Sequence, residues 1–550
     1  MSVVRPVLTQ RSAASLQFLV PRCRSFCIDN APVLLASAAF CVLLLLVNWQ
    51  LFTTPLIENG DHAANAIQVQ NAEHFRELLG NYSRWHFHHP GPFFFYLFAA
   101  GELVFYKLLH VVPAPLNGEY LAQLLFNVGC LFASIFICQK NVKARLFPAL
   151  SVAASALFLY VVYAAIPYSA MIPIWPPYMS IFSFLLLAVA AASVGAGNWE
   201  HLPWMALAGM MMIHAHVAQF FFAPILWLAS LVCLVLHERR EGDLVAVIRR
   251  ERKRIIIAGA IVLLFLLPIA LDYFFDHPNN LHQIRAYLRE HHGYRNTARI
   301  TFLYVASFFT FFRTPEIALA NPSATLAEIA NPQLYVSAYW SIYFFLALFA
   351  VVSYFGRLRQ LPLFLRLIFS EAVLILLLFT YWSSKITGGM FNFNGFFFFS
   401  VQLLVLFALC AIVAYRIGIM PDRRTQIALA SACAAPVLLI SSLDIRFPSD
   451  PNVLPIVALV KANHPKQVAI VQSNESWPTA AGIASYLERS GIDFCVEPDW
   501  EFTFGRSHVC TNAAKDFQID VSLNNPACKG GACSVIYHSG NLYVTLRPPA

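Results

Sequence analysis

Long apolar runs recur between about Ala31 and Ser442, separated by short polar stretches. In lipid, every backbone N–H and C=O must find a partner inside the protein, so runs of this length point to helices as the spanning elements. Composition agrees. Of 550 residues, 59% are hydrophobic and 12% charged, against about 25% charged in ordinary soluble domains. The fold class is therefore a polytopic α-helical membrane protein. The formal net charge of +8 calls for no nucleic-acid partner. Its Lys and Arg residues sit in short loops, where they set orientation.

Charge then fixes the expected topology. Arg5, Arg11, Arg22 and Arg24 precede the first apolar run, 31–52. That run is long and no small-x-small cleavage site follows, so it reads as a retained signal anchor with a cytoplasmic N-terminus. Four later basic clusters are expected inside: Lys140/Lys143/Arg145, the stretch "HERREGDLVAVIRRERKR" from His237 to Arg254, Arg357/Arg359, and Arg423/Arg424. An even number of crossings must separate the N-terminus from Lys140, yet three apolar segments lie between them. The segment 92–111 contains Glu102 and Lys107, and each charge in a span costs about 2.5–3.5 kcal/mol. It is expected to lie in the outer interface as a juxtamembrane helix. The run 300–312 is too short to span and reads the same way.

The expected spans are 31–52, 119–138, 147–167, 178–196, 203–217, 219–236, 255–273, 334–355, 363–382, 396–416 and 425–442, about eleven in all. An odd count places the C-terminus outside. The expected divisions are a cytoplasmic segment 1–30, a transmembrane domain 31–442 and a small extracytoplasmic α/β domain 443–550. The expected location is the inner (cytoplasmic) membrane.

In the tail, "KQVAIVQ" (466–472) reads as a strand and "WPTAAGIASYLERSG" (477–491) as an amphipathic helix ending at a glycine. "IDFCVEP" (492–498) reads as the next strand and "SVIYHSGNLYVTLR" (534–547) as a hairpin. The tail holds Cys495, Cys510, Cys528 and Cys533. Outside the cytoplasm four cysteines suit two disulfides, with Cys528 and Cys533 closing a short "KGGA" loop. A zinc site is the rival reading, but the spacings are irregular. No P-loop, no GxGxxG after a strand and no HExxH occurs, which argues against nucleotide-driven transport.

The outer loops are long and polar, the inner ones short and basic, so chemistry is expected outside. Glu58, Asp61 and His62 follow the first span in "LIENGDHAANAIQVQ". "YSRWHFHHPGPFFFYLFA" (82–99) supplies Arg84, His88 and His89, and "HAHVAQ" supplies His214 and His216. The loop 277–296, a candidate lid, carries Arg285, Arg289 and Arg295, and "SSKITGGMFNFNG" (383–395) carries Lys385 among glycines and asparagines able to meet an anion. Asp61 also suits the N-cap of the helix that follows it. "IWPPY" (174–178) reads as a rigid turn with interfacial aromatics. The phenylalanine runs at 93–95, 220–222 and 396–399 suit packing or lipid contact.

This layout, with the residues of 58–66 and 82–99, resembles the GT-C superfamily of integral membrane glycosyltransferases. It is most similar to the bacterial type related to aminoarabinose and protein mannosyl transferases. The resemblance implies a polyprenyl-phosphate sugar donor, an envelope glycan, lipid or protein acceptor, and inversion at the anomeric carbon. It casts Asp61 as general base; Glu58 reads as a second acid or as a solvated interface residue. Arg84, His88, His89, Lys385, Arg285, Arg295, His214 and His216 are then candidates for binding substrate and its phosphate. Paired adjacent acids are absent at Asp61, which leaves any divalent-metal cofactor open. Two other readings share the topology: a glycan polymerase or ligase, and a flippase or transporter for lipid-linked sugar.

Overall fold

A computed structural model describes residues 30–165, 174–242, 244–308, 360–387, 390–439, 449–511, 517–524 and 533–547. The expected span 334–355 lies outside these residues, as does Cys528.

Among the described residues, six helices are long and apolar enough to cross a membrane: Pro115–Val142 (α4), Pro176–Gly195, Gln219–Arg240, Leu244–Phe275 (α9), Leu363–Ser383 and Phe393–Ile417. The chain is a multi-pass membrane protein. Ala31–Val47 (α1) and Phe147–Ala165 (α5) are apolar but shorter. The segment after "HHPGP" forms a helix, Phe93–Gly101 (α3), that continues as wider π-type turns through Leu108.

Pro176–Gly195 (α6) is the axis of the bundle, buried along its whole length by its neighbours. Its small residues, among them Ala188, Ala190, Ala191 and Ala192, let other helices approach closely, the usual basis of association in lipid. Helices Leu202–Ala215 (α7) and Gln219–Glu241 (α8) pack against it.

Between α1 and α3 the chain forms the helix Gly60–Glu73 (α2) and a small antiparallel hairpin, Tyr82–Ser83 (β1) with Phe87–His88 (β2). Two glycines make this region possible. A Cβ on Gly80 would sit 2.8 Å from the Gly91 carbonyl oxygen, and one on Gly91 would sit 2.5 Å from the His214 ring.

The tail carries a five-stranded mixed sheet with order β4-β3-β5-β7-β6, built from Gln467–Gln472 (β3), Asp493–Val496 (β4), Phe517–Ser522 (β5), Ser534–Ser539 (β6) and Leu542–Arg547 (β7). The β3-helix-β4 unit is parallel as its sequence implies, and β6-β7 is the expected hairpin. Sequence reading missed β5, the central strand, which pairs parallel to β3 and antiparallel to β7. Its short alternating segment "FQIDVS" follows no strong turn signal. Cys495 and Cys510 form a disulfide, and Cys533 is also disulfide-bonded.

The tail's core does not end with the tail. Ala63 and Ile67 of α2 join Val468, Ile470, Ile483, Leu487 and Val544 in one apolar cluster. The tail helix Trp477–Arg489 faces α2 with small residues. A side chain at Gly482 would meet the Glu58 carbonyl oxygen at 2.7 Å. The first loop and the tail are therefore packed as one piece.

Candidate functional site

Asn59, in extended conformation, is the N-cap of α2. Gly60 follows at φ +50°, where a side chain would be strained, and sets the sharp start of the helix. Asp61 lies in the first turn. It is not the cap. Its carboxylate accepts two side-chain hydrogen bonds instead, from the Tyr82 hydroxyl to Oδ1 and from Trp175 Nε1 to Oδ2 at 3.1 Å. Burial and the neighbouring Asp61 charge push the Tyr82 phenol well above its ordinary range, so Tyr82 stays protonated and donates. His62 turns toward Tyr120, with a 3.3 Å contact between ring nitrogen and hydroxyl and the rings 6.2 Å apart. Burial draws its pKa down to about 4, so a neutral imidazole flanks the carboxylate.

Asp61, Tyr82 and Trp175 open onto a cavity of about 660 Å³. Its polar side is lined also by Asn65, Asn81, Arg84, His89, His216 and Lys385. Its other walls are apolar and aromatic: Phe220, Phe221, Trp382, Phe391, Phe393 and Phe397. Five candidates from four separate stretches of the chain, Asp61, Arg84 with His89, His216 and Lys385, thus meet on one surface. His89 and His216 are in contact, with ring centroids 4.4 Å apart, and burial pulls His89 well below the ordinary histidine range.

The remaining candidates lie elsewhere. His214 ties three segments together: Nε2 donates to the Phe265 carbonyl at 2.9 Å, which leaves Nδ1 to accept from the Phe93 N–H at 3.3 Å. His88 contacts the Gly80 carbonyl through Nδ1, and its backbone exchanges hydrogen bonds with the Asn280 side chain at 2.7 and 2.9 Å. These contacts dock the helix Asn280–Glu290 (α10) on the hairpin. Arg285 and Arg295 are exposed and are not among the lining residues.

Glu58 faces away from the cavity. It is fully buried, with Oε1 2.8 Å from Arg489 of the tail helix and Oε2 accepting from Ser485 at 2.6 Å. Arg489 also donates to Glu102 at 2.6 and 2.8 Å. Glu58, Glu102 and Glu119 bring carboxylate oxygens within 4.8 Å of one another, and the Arg489 guanidinium supplies the cation among them. Burial pushes the Glu58 carboxyl up, against the pull of Arg489. Glu58 thus ties the first loop to the tail.

Lys385 is placed by a residue that sequence reading passed over. Asn296 donates from Nδ2 to the Ser383 and Ile386 carbonyls at 3.1 and 2.9 Å, and its N–H donates to Ser384 at 2.8 Å. α10 covers one side of the cavity, where Tyr287 stacks near Trp85 and Phe87 and its hydroxyl meets Thr387 at 2.6 Å. Tyr82 and Trp175 were likewise not assigned to the site from sequence. "WPP" ahead of a span reads equally well as an interfacial turn, and only the fold brings its indole to Asp61.

The cavity lies at one end of the bundle. It is lined by Ala218, Phe220 and Phe221, where α8 begins, whereas Arg239 and Arg240 lie in the last turn of α8. A helix of 23 residues is about 34 Å long, so the basic turn and the cavity lie at opposite ends.

Fold and site together define a membrane-embedded helical scaffold with a largely apolar cavity, one polar side and one firmly held carboxylate. No family model matches this sequence, and no curated protein does. Among solved structures, the crystal structure of ArnT from Cupriavidus metallidurans bound to undecaprenyl phosphate matches with a TM-score of 0.50 at 11% identity, covering 92% of this chain and 97% of that one. At this identity the likeness is one of fold. It agrees with the resemblance to the GT-C superfamily read in the sequence.

Proposed function

We propose that this protein is a glycosyltransferase that moves a sugar from a polyprenyl-phosphate carrier to a cell-envelope acceptor on the extracytoplasmic face. The observation that carries the reading is Asp61. It is a carboxylate fixed by two neutral donors on a cavity that also presents Arg84, Lys385 and an aromatic wall. Donor chemistry fits both halves. A phosphate suits the two cations, and an isoprenoid tail suits the phenylalanines. The ArnT structure of the same fold contains undecaprenyl phosphate, a molecule of this class.

In the proposed step an acceptor hydroxyl gives its proton to Asp61 while its oxygen attacks the anomeric carbon. The new C–O bond forms as the bond from that carbon to the phosphate oxygen breaks on the opposite face, which inverts the configuration. The bonding pair leaves with the phosphate, where Arg84 and Lys385 stabilise the added charge. A positioned base contributes about 10²–10⁴-fold. Tyr82 and Trp175 hold the carboxylate in one orientation, so the acceptor meets a preorganised group.

Orientation follows from charge. The basic turn between α8 and the helix Leu244–Phe275 belongs on the cytoplasmic side by the positive-inside rule. The cavity and the tail packed on α2 then face outward.

The test is mass spectrometry of envelope glycans and polyprenyl-linked sugars in wild-type and deletion strains. The reading expects one sugar to vanish from a glycan while its lipid-linked form accumulates. Loss of the sugar together with its outward-facing lipid-linked donor would favour a flippase instead.

A further inference from the structure

Besides the tail helix packed on α2, one loop of the tail reaches the small hairpin that walls the cavity. The disulfide Cys495–Cys510 closes that loop at its base, where the Cys510 N–H also donates to the Val496 carbonyl at 2.9 Å. Two of its side chains reach the transmembrane half. Phe502 sets its ring against Tyr82 at 5.8 Å and against His86 at 5.1 Å, so it contacts both ends of the small hairpin. Arg506 donates from Nη1 to the backbone carbonyl of His277 at 2.8 Å, just ahead of α10. Phe502 and Arg506 are not among the cavity's lining residues. Tyr82 is, and its hydroxyl donates to Asp61.

We propose that the loop Cys495–Cys510 is a clamp that positions the catalytic carboxylate, with Phe502 as a positioning residue acting through Tyr82. This rests on Asp61 being the base of the proposed transfer. The two-residue strands of the hairpin have little stability of their own. Its tip holds His86 at φ +58°, a conformation that costs energy unless the surroundings enforce it. Phe502 supplies that enforcement from one side and α10 from the other. The disulfide keeps the loop's ends together, so the Phe502 ring stays within reach of Tyr82. The tail is then part of the catalytic apparatus, and a tail with its loop opened leaves substrate contacts in place while Asp61 loses its fixed partner.

The experiment uses the full chain in lipid nanodiscs and has two independent readouts. In the transfer assay, Phe502→Ala is expected to lower kcat about 10–100-fold, the cost of a slightly misplaced catalytic group, with donor KM within about twofold. Phe502→Tyr restores kcat, and Cys495→Ser/Cys510→Ser behaves like Phe502→Ala. In a Tyr82→Phe background, Phe502→Ala costs nothing further. By amide hydrogen exchange, Phe502→Ala is expected to speed exchange of the Gly80 and His89 amides while Gln467–Gln472 keeps its protection. If strand protection is also lost, Arg506→Ala, at an exposed position, replaces it and is expected to speed exchange in Asn280–Glu290. Unchanged exchange in the hairpin or in that helix overturns the clamp. So does a Phe502→Ala loss that is equal with and without the Tyr82 hydroxyl. If the wild type transfers no sugar, the proposed function fails, and exchange alone still decides whether the clamp exists.

Discussion

Arg489 and Glu58 are 431 residues apart in the chain and 2.8 Å apart in space. Their contact joins the tail to the first loop inside a buried carboxylate cluster. Breaking a buried pair leaves a charge without its partner, at a cost of about 3–5 kcal/mol. Arg489→Met is expected to lower thermal stability markedly and to expose the tail to limited proteolysis. Adding Glu58→Gln and Glu102→Gln removes the stranded charges and is expected to recover part of the loss. A melting curve followed by tryptophan fluorescence checks both.

Trp175 and Tyr82 are expected to act on turnover more than on affinity. Each removes one hydrogen bond to an ionised group when replaced by Phe, worth about 1.5–3 kcal/mol. Trp175→Phe and Tyr82→Phe should each lower kcat at least about tenfold, with donor KM little changed. Steady-state kinetics with varied donor separates the two constants.

Lys385 and Arg84 should behave differently. Removing a cation from a departing phosphate costs about 10²–10³ in rate when it acts like an oxyanion donor. Lys385→Ala is expected to lose activity on that scale and Lys385→Arg to keep part of it, because the charge is retained. Binding of the product polyprenyl phosphate, measured by its quenching of intrinsic fluorescence, should weaken in both Lys385→Ala and Arg84→Ala.

Gly91→Ala is predicted to disrupt the fold, since the added carbon would overlap the His214 ring at 2.5 Å. Overpacking of this kind costs about 1–3 kcal/mol. Pairing it with His214→Ala should relieve the clash but leave the Phe93 N–H and Phe265 carbonyl without their partner. Size-exclusion behaviour in detergent reports the difference.

Glu77 gives a pH-dependent term. Burial raises its pKa to about 7, although its carboxylate accepts from the Leu78 and Leu79 N–H groups. An acid with a raised folded pKa contributes stability below its unfolded pKa, near 4.3, and loses it as pH climbs toward 7. Glu77→Gln is therefore expected to flatten stability across about pH 4–7, by an amount on the order of a few kcal/mol. Melting temperatures at several pH values check this.

Much of the scaffold was legible because its signals are local. Apolar runs mark helices, and the β3-helix-β4 unit and the last hairpin carry ordinary periodicity and turn chemistry. Asp61 stood out through the resemblance of 58–66 to the GT-C pattern, which implies a carboxylate base in the first outer loop. What stayed hidden depends on long-range pairing. Glu58 and Asp61 are three residues apart and look alike in sequence, yet α2 sends one to Arg489 and the other into the cavity. Nothing near Glu58 announces a partner in the tail. His88, His89, His214 and His216 pose the same problem. Two line the cavity and two hold backbone, a distinction made only by which helix each one meets. The Cys495–Cys510 pairing was one of several that four cysteines permit.

The most direct test of the account is single-turnover sugar transfer by purified protein in nanodiscs, comparing wild type with Asp61→Asn. The donor is the lipid-linked sugar that accumulates in the deletion strain. Asparagine keeps the size of the side chain; its single oxygen can still accept from Trp175 while its NH2 donates to the Tyr82 hydroxyl oxygen, so the variant should fold and bind donor. The account predicts transfer reduced at least about 10²-fold with donor binding retained. Transfer at the wild-type rate would show that Asp61 is not the base.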